Sequence, residues 1–93
     1  MKQPYVYIMA SKYNGTLYVG VTADLKARVW SHKSGRNPNS FTSRYKVFSL
    51  VYYEAVNTMK EAIARENAIK NLPRINKVAL IEENNPDWLD LPL

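Results

Sequence analysis

The chain has 93 residues, 46% of them hydrophobic, no cysteine and a formal net charge of +5. That length leads us to expect one small domain spanning residues 1–93 with a modest core, and the lack of thiols excludes disulfides and a thiolate metal site. No long apolar run opens the sequence, so we expect neither signal peptide nor membrane span, but a soluble cytoplasmic protein with no membrane partner. The charge is uneven: nine Lys/Arg against two Asp/Glu in residues 1–60, then four against six. A basic N-terminal part suits a polyanion such as nucleic acid; a solvated basic surface is the plainer alternative.

Pro4 can open a first strand, where no ladder donor is needed. From Tyr5 to about Ala10 the residues alternate, Val6 and Ile8 to one side and Tyr5 and Tyr7 to the other. Ser11–Thr16 reads as a turn around Asn14-Gly15, with Gly15 free to take a positive φ. The next strand, Leu17 to Val21, places Leu17, Val19 and Val21 on one face and Tyr18 and Gly20 on the other. The two strands predict a hairpin with one aliphatic face and one face bearing phenols.

Thr22 is read as an N-cap, with Asp24 in the first turn, for a helix over about Ala23–Lys33 that stops near Gly35. Leu25, Arg28, Val29 and His32 share one flank of it, and Arg28 and His32 are neighbours four residues apart. Residues 34–46 read as a polar loop in which Arg36, Arg44 and Lys46 alternate with Phe41 and Tyr45. Together with Lys33 just before it, this is a candidate set for holding phosphates and stacking on bases; a surface loop pinned by its two aromatics is the competing reading.

Val47–Tyr53 is a near-continuous apolar run, expected to be a strand covered on both faces. Thr58-Met59-Lys60-Glu61 is a capping box and opens a helix to about Leu72. After Pro73 a third helix covers Arg74–Asn84 with Val78 and Ile81 inward, and Trp88 and Leu91 of the tail are expected to fold back on the core. On a helical wheel Met59, Ala62, Ile63 and Ile69 form the apolar face of the second helix, and Glu66 falls near its centre. A carboxylate there must be paired, protonated, metal-bound or at the edge of a cleft, with Arg28 and Lys70 the obvious ion-pair partners.

Tyr7, Tyr18-Val19-Gly20, Arg28 and His32, in this order and spacing, resemble the core signature of the GIY-YIG nuclease superfamily. Its first tripeptide is here Tyr5-Val6-Tyr7, with Tyr5 in place of glycine; the second departs only by Val19 for isoleucine. The resemblance covers nearly the whole chain and is strongest to the small stand-alone bacterial branch. It implies an α/β (α+β) fold, a three-stranded, mainly antiparallel sheet with flanking helices in the order β-β-α-β-α-α. It also implies a divalent-metal-dependent endonuclease acting on DNA, with one Mg²⁺ (or Mn²⁺) held by Glu66.

Under that resemblance Arg28 clamps phosphate, Tyr7 is a general base or Tyr18 orients the water, and His32 is the alternative base; the sequence leaves these open. A supporting asparagine is Asn76 or Asn85, with Gly20 kept from the second tripeptide. A loop histidine found in homing-type members has no counterpart here. That loss, and Tyr5, keep open a nucleic-acid-binding module that no longer cuts; a protein-interaction domain is a third reading.

Overall fold

The computed structural model describes residues 3–34 and 45–93. Its elements are β1 (Tyr5–Ala10), β2 (Leu17–Thr22), α1 (Leu25–Ser34), β3 (Ser49–Ala55), α2 (Met59–Lys70) and α3 (Arg74–Asn84). The sheet order is β2-β1-β3, and β1 is antiparallel to both neighbours. This is an α+β fold in the expected order β-β-α-β-α-α. Among the described residues no helix is long and apolar enough to cross a membrane.

Strand alternation divides the interior in two. Val6, Ile8, Ala10 and Val19 pack with Val51, Ala62, Ile69, Ile81 and Trp88, so α2, α3 and the tail cover that face. Tyr7 and Met9 pack with Leu25, Val29, Val47 and Leu50, so α1 covers the other. Burial of apolar area on both faces at about 25 cal/mol per Å² is what holds the sheet between its helices. The strand covered on both sides is therefore β1, every residue of which from Val6 to Ala10 is buried. β3 is an edge strand, fully buried only at Leu50 and Val51, and Tyr53 and Ala55 are exposed. It begins at Ser49, not Val47, and a bulge beside Ile8 and Met9 takes up Val51 against β1.

The hairpin connection differs from expectation in one detail. Asn14, not Gly15, takes the positive φ, 55°. Gly15 is needed for space, since a Cβ there would stand 2.3 Å from Ser11 Oγ. The turn is closed by Ser11 N–H to Thr16 O at 3.0 Å and tied to α3 by Arg74, whose guanidinium donates to the carbonyls of Asn14 and Gly15.

Asp24, not Thr22, caps α1: its Oδ1 accepts from Ala27 N–H at 3.2 Å, while Thr22 Oγ1 accepts from Asp24 N–H one step earlier. The expected stop at Gly35 lies outside the described residues. Thr58 caps α2, accepting from Glu61 N–H at 3.1 Å, and Glu61 reaches back to Asn57 N–H. The buried stripe of α2 is Ala62 and Ile69; Ile63, expected inward, is 46% exposed. α3 buries Ile81 and packs Val78 against the same cluster.

Beyond α3 the tail is held by Asn85. Its buried amide donates to Val51 O (3.1 Å) and Leu89 O (2.9 Å), and its carbonyl accepts from Leu89 N–H (2.9 Å). Trp88 turns inward through a positive φ and donates its indole N–H to Glu82. Trp88 and Leu91 both fold back on the core as expected.

Candidate active site

Tyr7 stands on β1 opposite Gly20 on β2. A Cβ at position 20 would lie 2.6 Å from Tyr7 Oη, 2.7 Å from Tyr7 Cζ and 2.9 Å from Tyr18 Cε1. Real Cβ atoms do not approach so closely, so glycine is the residue that lets the Tyr7 ring lie across its neighbouring strand. The ring thereby brings Oη to 2.9 Å from His32 Nε2 on α1. Tyr18 closes the group, its ring 5.3 Å from the His32 ring, edge to face, and 6.2 Å from Tyr7.

The electrostatics of this group are set mainly by burial. Burial pushes the Tyr7 phenol well above its usual value; the nearby Tyr18 adds to this, Arg28 opposes it, a hydrogen bond with Tyr18 and the charge of Glu66 raise it further. Burial also lowers His32 below its usual 6.5, and the Arg28 cation lowers it more. Tyr7 Oη and His32 Nε2 share one hydrogen, which the phenol donates when the imidazole proton is on Nδ1 and which Nε2 donates in the other tautomer.

Arg28 lies on the exposed side of α1, one turn before His32, beside a groove of about 300 Å³ lined by Thr22, Asp24, Ala27, Arg28 and Ser31. Among the described residues no carboxylate pairs with it. Glu66 enters from α2 with its side chain 16% exposed, and its Oε1 lies 3.5 Å from Lys70 Nζ. Of the two expected ion-pair partners, Lys70 is the one taken.

A divalent cation fits this donor set in one manner. Among the described residues no three His, Cys, Asp or Glu side chains gather as for a fully protein-ligated metal. A single half-buried carboxylate suits a hard ion that keeps most of its waters, as Mg²⁺ does, and not a zinc-type site.

The other candidates fall apart from this group. Asn85 is committed to the tail. Asn76 is exposed on the first turn of α3, where its N–H bonds Pro73 O. Lys33 is ion-paired with Asp90. Lys46 is exposed, with φ 56°, and Arg36 and Arg44 lie outside the described residues. Sequence reasoning passed over Asp90, which carries no motif and sits in a tail whose path no local periodicity reveals.

The fold, and the tyrosine pair set across β1 and β2 beneath an arginine–histidine helix, define a small domain of the nuclease class. The model of the GIY-YIG catalytic domain matches residues 3–78, and the chain belongs to the GIY-YIG family. It is 37% identical over 83 residues to the UPF0213 protein SH2523 of Staphylococcus haemolyticus, covering 89% of this chain and 99% of that one. A UPF0213 protein of Syntrophus aciditrophicus is 33% identical, over 90% of this chain and 95% of its own. The solution NMR structure of the UPF0213 protein BH0048 from Bacillus halodurans superposes with a TM-score of 0.54 at 32% identity, covering 88% of this chain and 85% of that one.

Proposed function

We propose that this protein is a divalent-metal-dependent endonuclease that hydrolyses phosphodiester bonds in DNA. The observation that carries the reading is the Tyr7–His32 hydrogen bond at 2.9 Å, set beside a cation, Arg28, and a carboxylate, Glu66, that both act on Tyr7. Phosphodiester hydrolysis asks for a base near the water, a positive group on the phosphate and relief of charge at the leaving oxygen.

Tyr7 remains a phenol at neutral pH, so it serves as a relay. As water attacks phosphorus, its proton passes to Tyr7 Oη while the Tyr7 proton passes to His32 Nε2; the P–O bond opposite the water breaks, and the leaving oxygen takes a proton from solvent water. This route uses the tautomer protonated on Nδ1, which leaves Nε2 able to receive the proton. Arg28 presents a planar fork to two phosphate oxygens. Tyr18, against both rings, holds the His32 imidazole and shields the relay from bulk water. Glu66 would hold one Mg²⁺ or Mn²⁺, which would supply Lewis-acid relief of charge on the phosphate and leaving oxygens.

A second reading is a nucleic-acid-binding module without cleavage, and the Glu66–Lys70 pair favours it, because the ammonium competes for the carboxylate. One experiment separates the two: nicking of supercoiled plasmid, and cutting of a single-stranded oligonucleotide, with Mg²⁺, with Mn²⁺ and with chelator. Metal-dependent cutting that Glu66→Ala lacks supports the nuclease. Salt-sensitive binding without cutting supports the module.

A further inference from the structure

α1 carries both Arg28 and His32, yet its buried anchors, Leu25 and Val29, lie in its first five residues. Its last turn, which holds His32, is fixed by side chains at the surface. One is His32 itself, through Tyr7. The next residue, Lys33, is ion-paired with Asp90 Oδ2. The other oxygen of that carboxylate, Oδ1, accepts from the N–H of Leu50 on β3 at 2.8 Å. The Leu50 peptide is gripped again at its carbonyl, which accepts from Leu91 N–H at 2.8 Å. Asn85 then registers the tail on the next residue of β3 through Val51 O.

Asp90 thus bridges a strand and a helix with separate oxygens. The strand end of the bridge is well placed for this. Leu50 pairs with Met9 of β1, and Met9 shares a face and a cluster with Tyr7. Lys33 and His32 are about 100° apart on the helix, so the two contacts restrain rotation of α1 from different sides.

We infer that Asp90 is a positioning residue: through Lys33 it fixes the roll of α1 and so sets where His32 and Arg28 stand relative to Tyr7. The inference rests on the reading of Tyr7, His32 and Arg28 as the reacting group. The Lys33–Asp90 pair is too exposed, with side chains 39% and 43% accessible, to matter much for stability. Alignment is another matter, because a misplacement of about 1 Å at reacting atoms costs up to about a hundredfold in rate.

The test is the ¹⁵N spectrum of the His32 ring, the one histidine of the chain, with Tyr7→Phe defining the signature of a lost Tyr7–His32 bond. Asp90→Asn keeps an acceptor for Leu50 N–H but loses the charge that holds Lys33; Lys33→Met removes the ammonium from an exposed site and leaves the tail untouched. Both are expected to keep a Tm close to wild type while the Nε2 resonance moves toward the Tyr7→Phe value. Lys33→Arg, which keeps a cation for Asp90 and leaves Leu50 N–H its acceptor, is expected to hold it at the wild-type value. In a cleavage assay kcat falls by up to about a hundredfold with KM little changed.

An Nε2 resonance unmoved in Lys33→Met, or moved as far in Lys33→Arg as in Lys33→Met, overturns the inference. A wild-type protein that never cuts would defeat the nuclease reading alone, since the ring spectrum decides the positioning role without turnover.

Discussion

Gly20 and Tyr7 face each other across β2 and β1, and the space a Cβ would fill at position 20 is already taken by the phenol of Tyr7, 2.6 Å away at Oη. The small residue of the Tyr18-Val19-Gly20 run is thus a requirement imposed by Tyr7. Gly20→Ala is expected to destabilise the fold by about 1–3 kcal/mol through overpacking. The displaced ring leaves His32, and cleavage falls at least tenfold. Urea unfolding and plasmid nicking on one preparation check both effects; a variant of wild-type activity would show that the ring need not sit over β2.

Tyr7→Phe keeps the ring and its packing and removes only the hydroxyl. Stability should fall by about 1–3 kcal/mol, the net worth of the two hydrogen bonds the hydroxyl makes, to His32 and to Tyr18. Turnover should fall by roughly 10²–10⁴, the range for a lost general acid or base. If His32 takes the water's proton without Tyr7, the variant will retain most of its activity.

The shift of His32 has a definite sign. Its folded value lies below the 6.5 of an ordinary imidazole. Between the two values the unfolded chain binds more protons, so stability is complete above about pH 6.5 and is lost as pH falls through the folded value. Tyr7 acts oppositely: raised above 10.0, it contributes below pH 10 and loses that contribution as pH rises further. In His32→Gln the acid-side slope attributable to this ring disappears. Denaturation midpoints from pH 5 to 8, compared between wild type and variant, measure it, and parallel curves would refute the assignment.

Glu66→Gln is expected to fold normally, because its i,i+4 pair with Lys70 is worth only a few tenths of a kcal/mol, and to lose the response of cleavage to Mg²⁺. Chelator should do the same to wild type. A titration of cleavage rate against Mg²⁺ for both proteins reads this directly; a shared metal response would move the cation elsewhere.

Asn85→Ala removes three hydrogen bonds at once and leaves the buried Val51 carbonyl, and the part-buried Leu89 N–H and carbonyl, without their partner. A cost of about 1–3 kcal/mol for the buried Val51 carbonyl is expected, larger than for Asn76→Ala on the exposed first turn of α3. Thermal melts of the two variants decide between a structural and a catalytic asparagine at position 85.

What the sequence made readable was local. The alternation around Tyr7 and Val19 is a consequence of strand geometry and needs no partner to be seen; the Thr58–Glu61 cap likewise sits within four residues. The positive φ at Asn14, and the closeness of Ser11 that makes residue 15 a glycine, are features of the folded turn that spacing does not show. Ile63 fell outside because α2 packs along Ala62 and Ile69, a narrower stripe than the wheel suggests. Arrangements joining distant segments were invisible: β1 as the doubly covered strand, Asp90 against both Lys33 and Leu50, and Arg74 on the hairpin turn. The convergence of Tyr7, Tyr18, Arg28, His32 and Glu66 was suggested by family resemblance, and no periodicity would have implied it.

The central place of β1 bears on how the chain is born. It leaves the ribosome before β2 and β3, and β2 can join one side of it almost at once. Its other side waits for β3, residues 49–55, an interval of roughly 2–7 s at about 5–20 residues per second. For that time the Val6–Ala10 backbone presents an open edge with an apolar row on either face, the form of surface that pairs with other chains. The nascent protein is most exposed to mispairing while the basic stretch between α1 and β3 is being translated, and a pause there lengthens the window.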